Sequence, residues 1–259
     1  MSPPGVGCLA LAAILLAPAV LHGADARPVL RTVAEVRGLT REAAELAYPV
    51  HIRGVITYSD PSHFLWFVQD STGGIYIAAR DPHLAAGDLV EVKGVSAPGN
   101  VGRIIMGSGE AGIGVKVLAR GAPLPTPALV APEDLMGNEF DAQWISVAGE
   151  VRSVRVENGR AFLKLQCGAE LIRAVLPGFH SQDVSPTYLQ GLQVTVNGVL
   201  GMQMSGDLTT KRTYLAVPSL REIIPTETAI ASRFDLPVQS FSEFFGIRTE
   251  GSAASLRFI

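Results

Sequence analysis

Apolar and polar positions alternate through four segments of the chain, and each alternation runs up to a glycine. "VHIRGVI" (50–56) matches "ISVAGEV" (145–151) in pattern, and "VEVKGV" (90–95) matches "VTVNGV" (194–199). Alternation at period two is the signature of a strand buried on one face. The glycines fall at equivalent places, Gly54 with Gly149 and Gly94 with Gly198. A glycine late in such a strand marks a bulge or a sharp bend at a barrel corner. A hairpin lies between the members of each copy. In the first it is "HFLWFVQ" (63–69) and the turn "DSTGG" (70–74); in the second it is "RAFLKLQ" (160–166) and the turn "CGAE" (167–170). A fifth strand is predicted around "GVKVLARG" (114–121) and again around "TYLAVPSLREII" (213–224).

Five short strands, the first long and bent, with a break before the fourth, predict an all-β protein with short helices. The architecture expected is two tandem OB-type five-stranded β-barrels and the start of a third; a sandwich with fewer strands is the alternative. The modules span 47–121 and 143–225. A leader helix is expected in 27–46 and a linker with one short helix in 122–142. Residues 226–259 read as the leader and first strand of a truncated third module, with "SLRFI" opening that strand. The second copy is longer near "GFHSQDVSPTYLQG" (178–191), read as a loop or short helix.

Matching the two hairpins assigns their faces. Phe64, Trp66 and Val68 share the places of Ala161, Leu163 and Leu165, which suit a core. Leu65, Phe67 and Gln69 share the places of Phe162, Lys164 and Gln166. A lysine is seldom buried, so this second set faces outward. Phe67 then points out of its barrel where the second copy has a lysine. Tyr76, between Ile75 and Ile77, points out as well, and so does Arg53, between Ile52 and Gly54. Arg53, Leu65, Phe67 and Tyr76 form the candidate site. Two readings stand. The strip is a ligand platform, since flat aromatics on this face stack on bases or sugars. Or it is a seam against the leader or the other module, since tandem modules need an apolar contact. The seam is preferred.

Composition narrows the class. Hydrophobic residues make up 47% and charged residues 17% of 259, enough to bury cores. The formal net charge is −3, and residues 143–225 carry eight Lys/Arg against six Asp/Glu. That gives no strong nucleic-acid signal. "CLALAAILLAPAVL" (8–21) is a short apolar run, and "ADA" (24–26) follows it as a signal-peptidase site would. Residues 1–26 are therefore expected to be a signal peptide, with an uncleaved anchor as the alternative. The mature chain would keep one cysteine, Cys167, which cannot form an intrachain bridge.

Other candidate chemistry is thin. "QDSTGG" lacks the lysine and helix of a phosphate loop and reads as a hairpin turn. His51, His63, His83 and His180 have no partner at metal-ligand spacing, so no metal and no cofactor is expected. No nucleophile motif occurs. Cys167 reads as a packing residue. "TTKR" (209–212), with Arg152, Arg155 and Arg160, makes the second module mildly basic and reads as a solvated loop.

The order "YPVHIRGVIT", "FVQDSTGGIYI", "GDLVEVKGV", "VPSLREI" resembles the extracytoplasmic input region of certain bacterial sensor histidine kinases. The resemblance covers about 28–259. It implies tandem OB-like modules of a membrane-anchored two-component receptor, with the chain in the periplasm and its parent in the inner membrane. Kinase motifs are absent from this sequence, so no catalytic activity is expected of it. Its partner would be an unknown small ligand or a neighbouring module, with the membrane met only through the parent receptor or an uncleaved anchor. "GVIT…FVQDSTGGIYI" is also similar to OB modules attached to secreted nucleases, which implies a free binding module for oligosaccharide or nucleic acid. An enzyme with a site formed only in three dimensions is the third reading.

Overall fold

A computed structural model describes residues 27–81, 83–109, 112–179, 185–204 and 210–226. The signal-peptide and third-module expectations lie outside these residues, as does His180. Among the described residues no helix is long and apolar enough to cross a membrane.

Among the described residues the first module has six strands: β1 (Pro49–Asp60), β2 (Leu65–Asp70), β3 (Gly73–Ile77), β4 (Leu89–Ala97), β5 (Ile104–Met106) and β6 (Gly114–Ala119). The order β1-β2-β3-β5-β4 is closed by a β1–β4 pairing, so five strands make a barrel, with β3 and β5 parallel. The second module repeats this with β8 (Trp144–Glu157), β9 (Arg160–Cys167), β10 (Glu170–Pro177), β11 (Gln193–Met204) and β12 (Lys211–Ala216). There the order β8-β9-β10-β12-β11 closes through β8–β11, and β10 runs parallel to β12. The two tandem OB-type barrels expected from the alternation are the fold.

The fifth strands need correction. In the first module, the strand at 114–119 is a sixth, lying on the N-terminal half of β4 outside the closed ring. The fifth barrel strand is β5, whose three residues are too few to show alternation. In the second, 213–224 merges two elements: the end of β12, and β13 (Ile223–Pro225), which flanks β11 as β6 flanks β4. "TTKR" is likewise no loop at its described end, because Lys211 and Arg212 open β12. The Lys211 Nζ donates to the Met136 carbonyl at 2.6 Å and to Asn138 Oδ1 at 2.9 Å, tying the strand to the linker.

The patterned glycines sit where strands pass closest. A Cβ on Gly54 would lie 2.5 Å from the Gln69 carbonyl oxygen, and one on Gly149 would lie 2.8 Å from Cys167 Sγ. The long first strands turn there from one neighbour to the next. The bulges fall just beyond, between Ile56 and Tyr58 and between Val151 and Ser153.

The leader holds two helices instead of one, α1 (Val33–Arg37) and α2 (Arg41–Glu45), because Gly38 caps the first and Thr40 starts the second. The "DSTGG" turn joins β2 to β3 and also docks the leader. Asp70 Oδ2 accepts from Val33 N at 2.8 Å, and Thr72 Oγ1 accepts from Ala34 N at 2.9 Å. These bonds satisfy N–H groups that a helix start leaves unpaired. The linker's helix is a 3-10 turn (Pro132–Met136), preceded by β7 (Ala128–Leu129) parallel to β8. The matching bridge in the first module pairs Leu30 with Val50. The long segment of the second copy contains a 3-10 turn at Pro186–Leu189.

Each barrel has its own core. Ile52, Ile56, Trp66, Val68, Ile75, Ile77, Val90 and Val92 fill the first. Val147, Val151, Leu163, Leu165, Cys167, Val194 and Val196 help fill the second. Trp66 is 1% exposed and Leu163 is fully buried, as the matched hairpins predict. Cys167 is a packing residue whose thiol burial pushes up to about 11. Phe64 departs from its assignment and is 61% exposed. The 3-10 turn Pro61–His63 precedes it and its own φ is 52°, so β2 alternation begins only at Leu65.

Candidate functional site

A third apolar cluster joins the barrels. Tyr58, Phe67, Ala142, Trp144, Val199 and Ala216 are buried in it, with Leu65, Tyr76, Leu124 and Tyr214 packed against them. Phe67 points out of the first barrel, yet it is only 4% exposed. Its ring meets Tyr76 edge-on at 5.9 Å and Tyr58 at 6.4 Å between centroids. The strip is a seam, and Leu65, Phe67 and Tyr76 come together in it. Arg53 does not. The β1 bulge separates it from Tyr58, and it stays exposed near the other end of the strand, in register with Glu91.

Polar groups fix the seam's register. Gln69 Oε1 accepts from Trp144 N at 2.9 Å, and Gln143 Oε1 accepts from Gly74 N at 3.0 Å. A Cβ on Gly74 would lie 1.9 Å from the Ala142 carbonyl oxygen, so only glycine lets the linker approach this turn. Arg37 of α1 donates from Nη1 to the carbonyls of Gly74 at 3.1 Å and Asp141 at 2.7 Å. Asp60 at the end of β1 and Arg160 at the start of β9 form an ion pair in which Arg160 Nε, at 2.7 Å, and Nη2 both donate to Asp60 Oδ2. Their side chains are 3% and 15% exposed. Arg160 is therefore a seam residue and adds nothing to a basic surface. His63 Nδ1 lies 3.3 Å from the other Asp60 oxygen.

Beside the seam a cleft of about 570 Å³ opens between the barrels. The first barrel lines it with Tyr58, Phe64, Phe67, Tyr76 and the loop before β5, including Arg103. The second contributes Phe162, Arg173, Met202 and Tyr214. The Arg173 guanidinium lies over the Phe162 ring, 5.4 Å from its centroid. Burial pushes the Tyr58 and Tyr214 phenols well above their usual range, so both stay neutral donors. The Tyr58 hydroxyl is buried beside the Arg160 guanidinium with no hydrogen bond of good geometry. Burial also raises the Asp141 carboxyl, against the opposing pull of Arg37. A wider depression of about 1000 Å³ on the first barrel shares Phe64 and Tyr76 with the cleft, two residues joined by a hydrogen bond from the Tyr76 hydroxyl to the Phe64 carbonyl at 2.9 Å.

The two copies use the same face differently. Phe67 opposite Tyr76 in the first corresponds to Lys164 opposite Arg173 in the second. The aromatic pair is packed in the seam, whereas the cationic pair is exposed. Gln166, matched to Gln69, turns back to donate to the Gly168 carbonyl at 2.9 Å. The outward face of β9 and β10 was not among the sequence candidates. The lysine that marked it as exposed was its available signal.

Two closed barrels of this strand order, sharing a seam and an aromatic cleft, define a tandem OB-type β-barrel protein. No family model matches the chain, and no curated protein matches it. Solved structures do. A putative aspartyl-tRNA synthetase from Leishmania major Friedlin is 13% identical, with TM-score 0.29, over 42% of this chain and 23% of that one, so under a quarter of the synthetase's length is spanned. A replication protein A heterotrimer bound to ssDNA is 12% identical, with TM-score 0.28, over 42% of this chain and 91% of that one. The Ifi202 HINa domain in complex with 20bp dsDNA is 10% identical, with TM-score 0.30, over 68% of this chain and 94% of that one. Two of these structures hold DNA, a class of partner to which the net charge of this chain gave no pointer. At these TM-scores the likeness carries no functional argument.

Proposed function

We propose that this chain is a non-catalytic binding module whose ligand sits in the cleft between the two barrels. The observation that carries this reading is the division of labour between matched faces. One face is consumed by the seam, and the other is left open beside a cleft lined with rings from both barrels. Clefts of a few hundred Å³ that set aromatic rings among charged and polar groups suit ligands that carry both rings and polar groups. A second depression that borders the cleft at Phe64 and Tyr76 gives room for an oligomeric ligand.

Calorimetric titration with single-stranded oligonucleotides and oligosaccharides tests the site. Phe162→Ala should weaken whichever ligand binds by about 1–3 kcal/mol, the worth of one stacked ring. A ligand bound equally well by Phe162→Ala contradicts the cleft.

The motif order that resembles sensor kinase input regions supports a wider reading, in which this module is the extracytoplasmic input of a membrane receptor. The apolar run before "ADA" supports export. N-terminal sequencing of exported protein should begin at or within a few residues of Arg27. A full-length product retained in the cytoplasm contradicts export.

A further inference from the structure

Lys164 on β9 stands directly opposite Arg173 on β10. Both are exposed, and neither enters an ion pair among the described residues. Like charges directly opposite one another destabilise an antiparallel pair. The matched positions of the first barrel carry no charge, so the fold itself does not demand cations there. Neighbouring outward positions continue the pattern. Arg155 lies opposite Phe162, and Arg212 is exposed on β12 two residues before Tyr214. The nearby acids are already engaged: Glu157 with Arg155 at 3.6 Å, Asp60 with Arg160, and Asp141 facing Arg37.

Resting on the cleft as the binding site, we propose that Lys164 and Arg173 form an anion subsite at its edge, and that the ligand is a single-stranded nucleic acid. Phosphates meet the two cations and relieve their mutual repulsion. Bases stack on Phe162 and Phe64, the cleft-lining rings that lie outside the seam cluster. Arg173 serves both purposes, since a guanidinium over a ring can hydrogen-bond phosphate in its plane while its face stays stacked. A base paired within a duplex cannot reach rings set between two barrels, so the strand is single. Stacking of this kind tolerates any base, and sequence preference is weak. A neutral oligosaccharide would use the rings and leave the cations unmet. An acidic one would meet the cations but brings puckered sugar rings in place of the flat π faces that stack best on an aromatic ring.

Fluorescence anisotropy with a short labelled oligo-deoxythymidine tests this on wild type, on Lys164→Glu/Arg173→Glu and on Phe162→Ala. A neutral cello-oligosaccharide and an oligogalacturonate serve as competitors, each also titrated directly by calorimetry. The strand should bind with log affinity falling against log salt, by about 0.7 per phosphate contact. The double charge reversal should weaken binding at least about tenfold and remove roughly 1.4 from that slope. Its circular dichroism should match wild type, because both side chains are exposed. No binding of the strand at low salt, or equal binding by the double variant, overturns the proposal. If the strand fails while the cello-oligosaccharide binds in a Phe162-dependent way, the cleft survives and the nucleic-acid ligand falls. Oligogalacturonate binding in place of the strand assigns the subsite to an acidic sugar and overturns the proposal. If the strand binds and Phe162→Ala leaves it unchanged, the cleft and the proposal fall together.

Discussion

Phe67→Lys will cost at least about 3–5 kcal/mol, the loss expected for deleting a buried aromatic side chain. The new ammonium adds to that loss, because it would sit among Tyr58, Trp144, Val199 and Ala216 without a counter-charge. Urea unfolding followed by circular dichroism measures it. The transition should also split in two, as the barrels unfold apart once the seam is gone. The matched reverse change, Lys164→Phe, should shift stability by no more than about 0.5 kcal/mol, because that position is exposed. Similar costs at the two positions would mean that the barrels do not use this face differently.

Trp66→Ala will cost about 3–5 kcal/mol for a different reason. Trp66 is one register position from Phe67 but points into the first barrel, among Ile52, Ile56, Ile77 and Val90. Its removal leaves a cavity inside one barrel and should leave the seam in place. The first barrel should then unfold at lower urea, with the second still anchored by its own core. A loss under about 1 kcal/mol would place Trp66 on a surface and invert the face assignment.

Most of the fold was legible because its strands repeat. Gly54 with Gly149, and Trp66 with Leu163, located equivalent corners and cores without any reference to space. What was missed was short or irregular. The three residues of β5 carry no period, and Phe64 was lifted out of its alternation by a 3-10 turn that "DPSH" only hints at. The bulge after Ile56 hid the separation of Arg53 from the aromatic strip, since a residue count along β1 cannot register an inserted residue. The contrast between Phe67 and Lys164 did point to the seam. It pointed equally to an open face on the second barrel, which was left unread because a lone lysine is ordinarily a solvated group. Only the cross-strand register shows that Arg173 stands against it. The Asp60–Arg160 pair joins residues 100 positions apart and left no local trace in the sequence.

That pair offers the most direct test of the packing of the two barrels on one seam. A double-mutant cycle of Asp60→Asn and Arg160→Gln, read by denaturant unfolding, isolates their coupling. Direct contact across the seam predicts a coupling energy of about 1–3 kcal/mol. Single-variant losses that add to the double-variant loss within about 0.5 kcal/mol would show that the two residues do not meet, and the seam with its cleft would be contradicted.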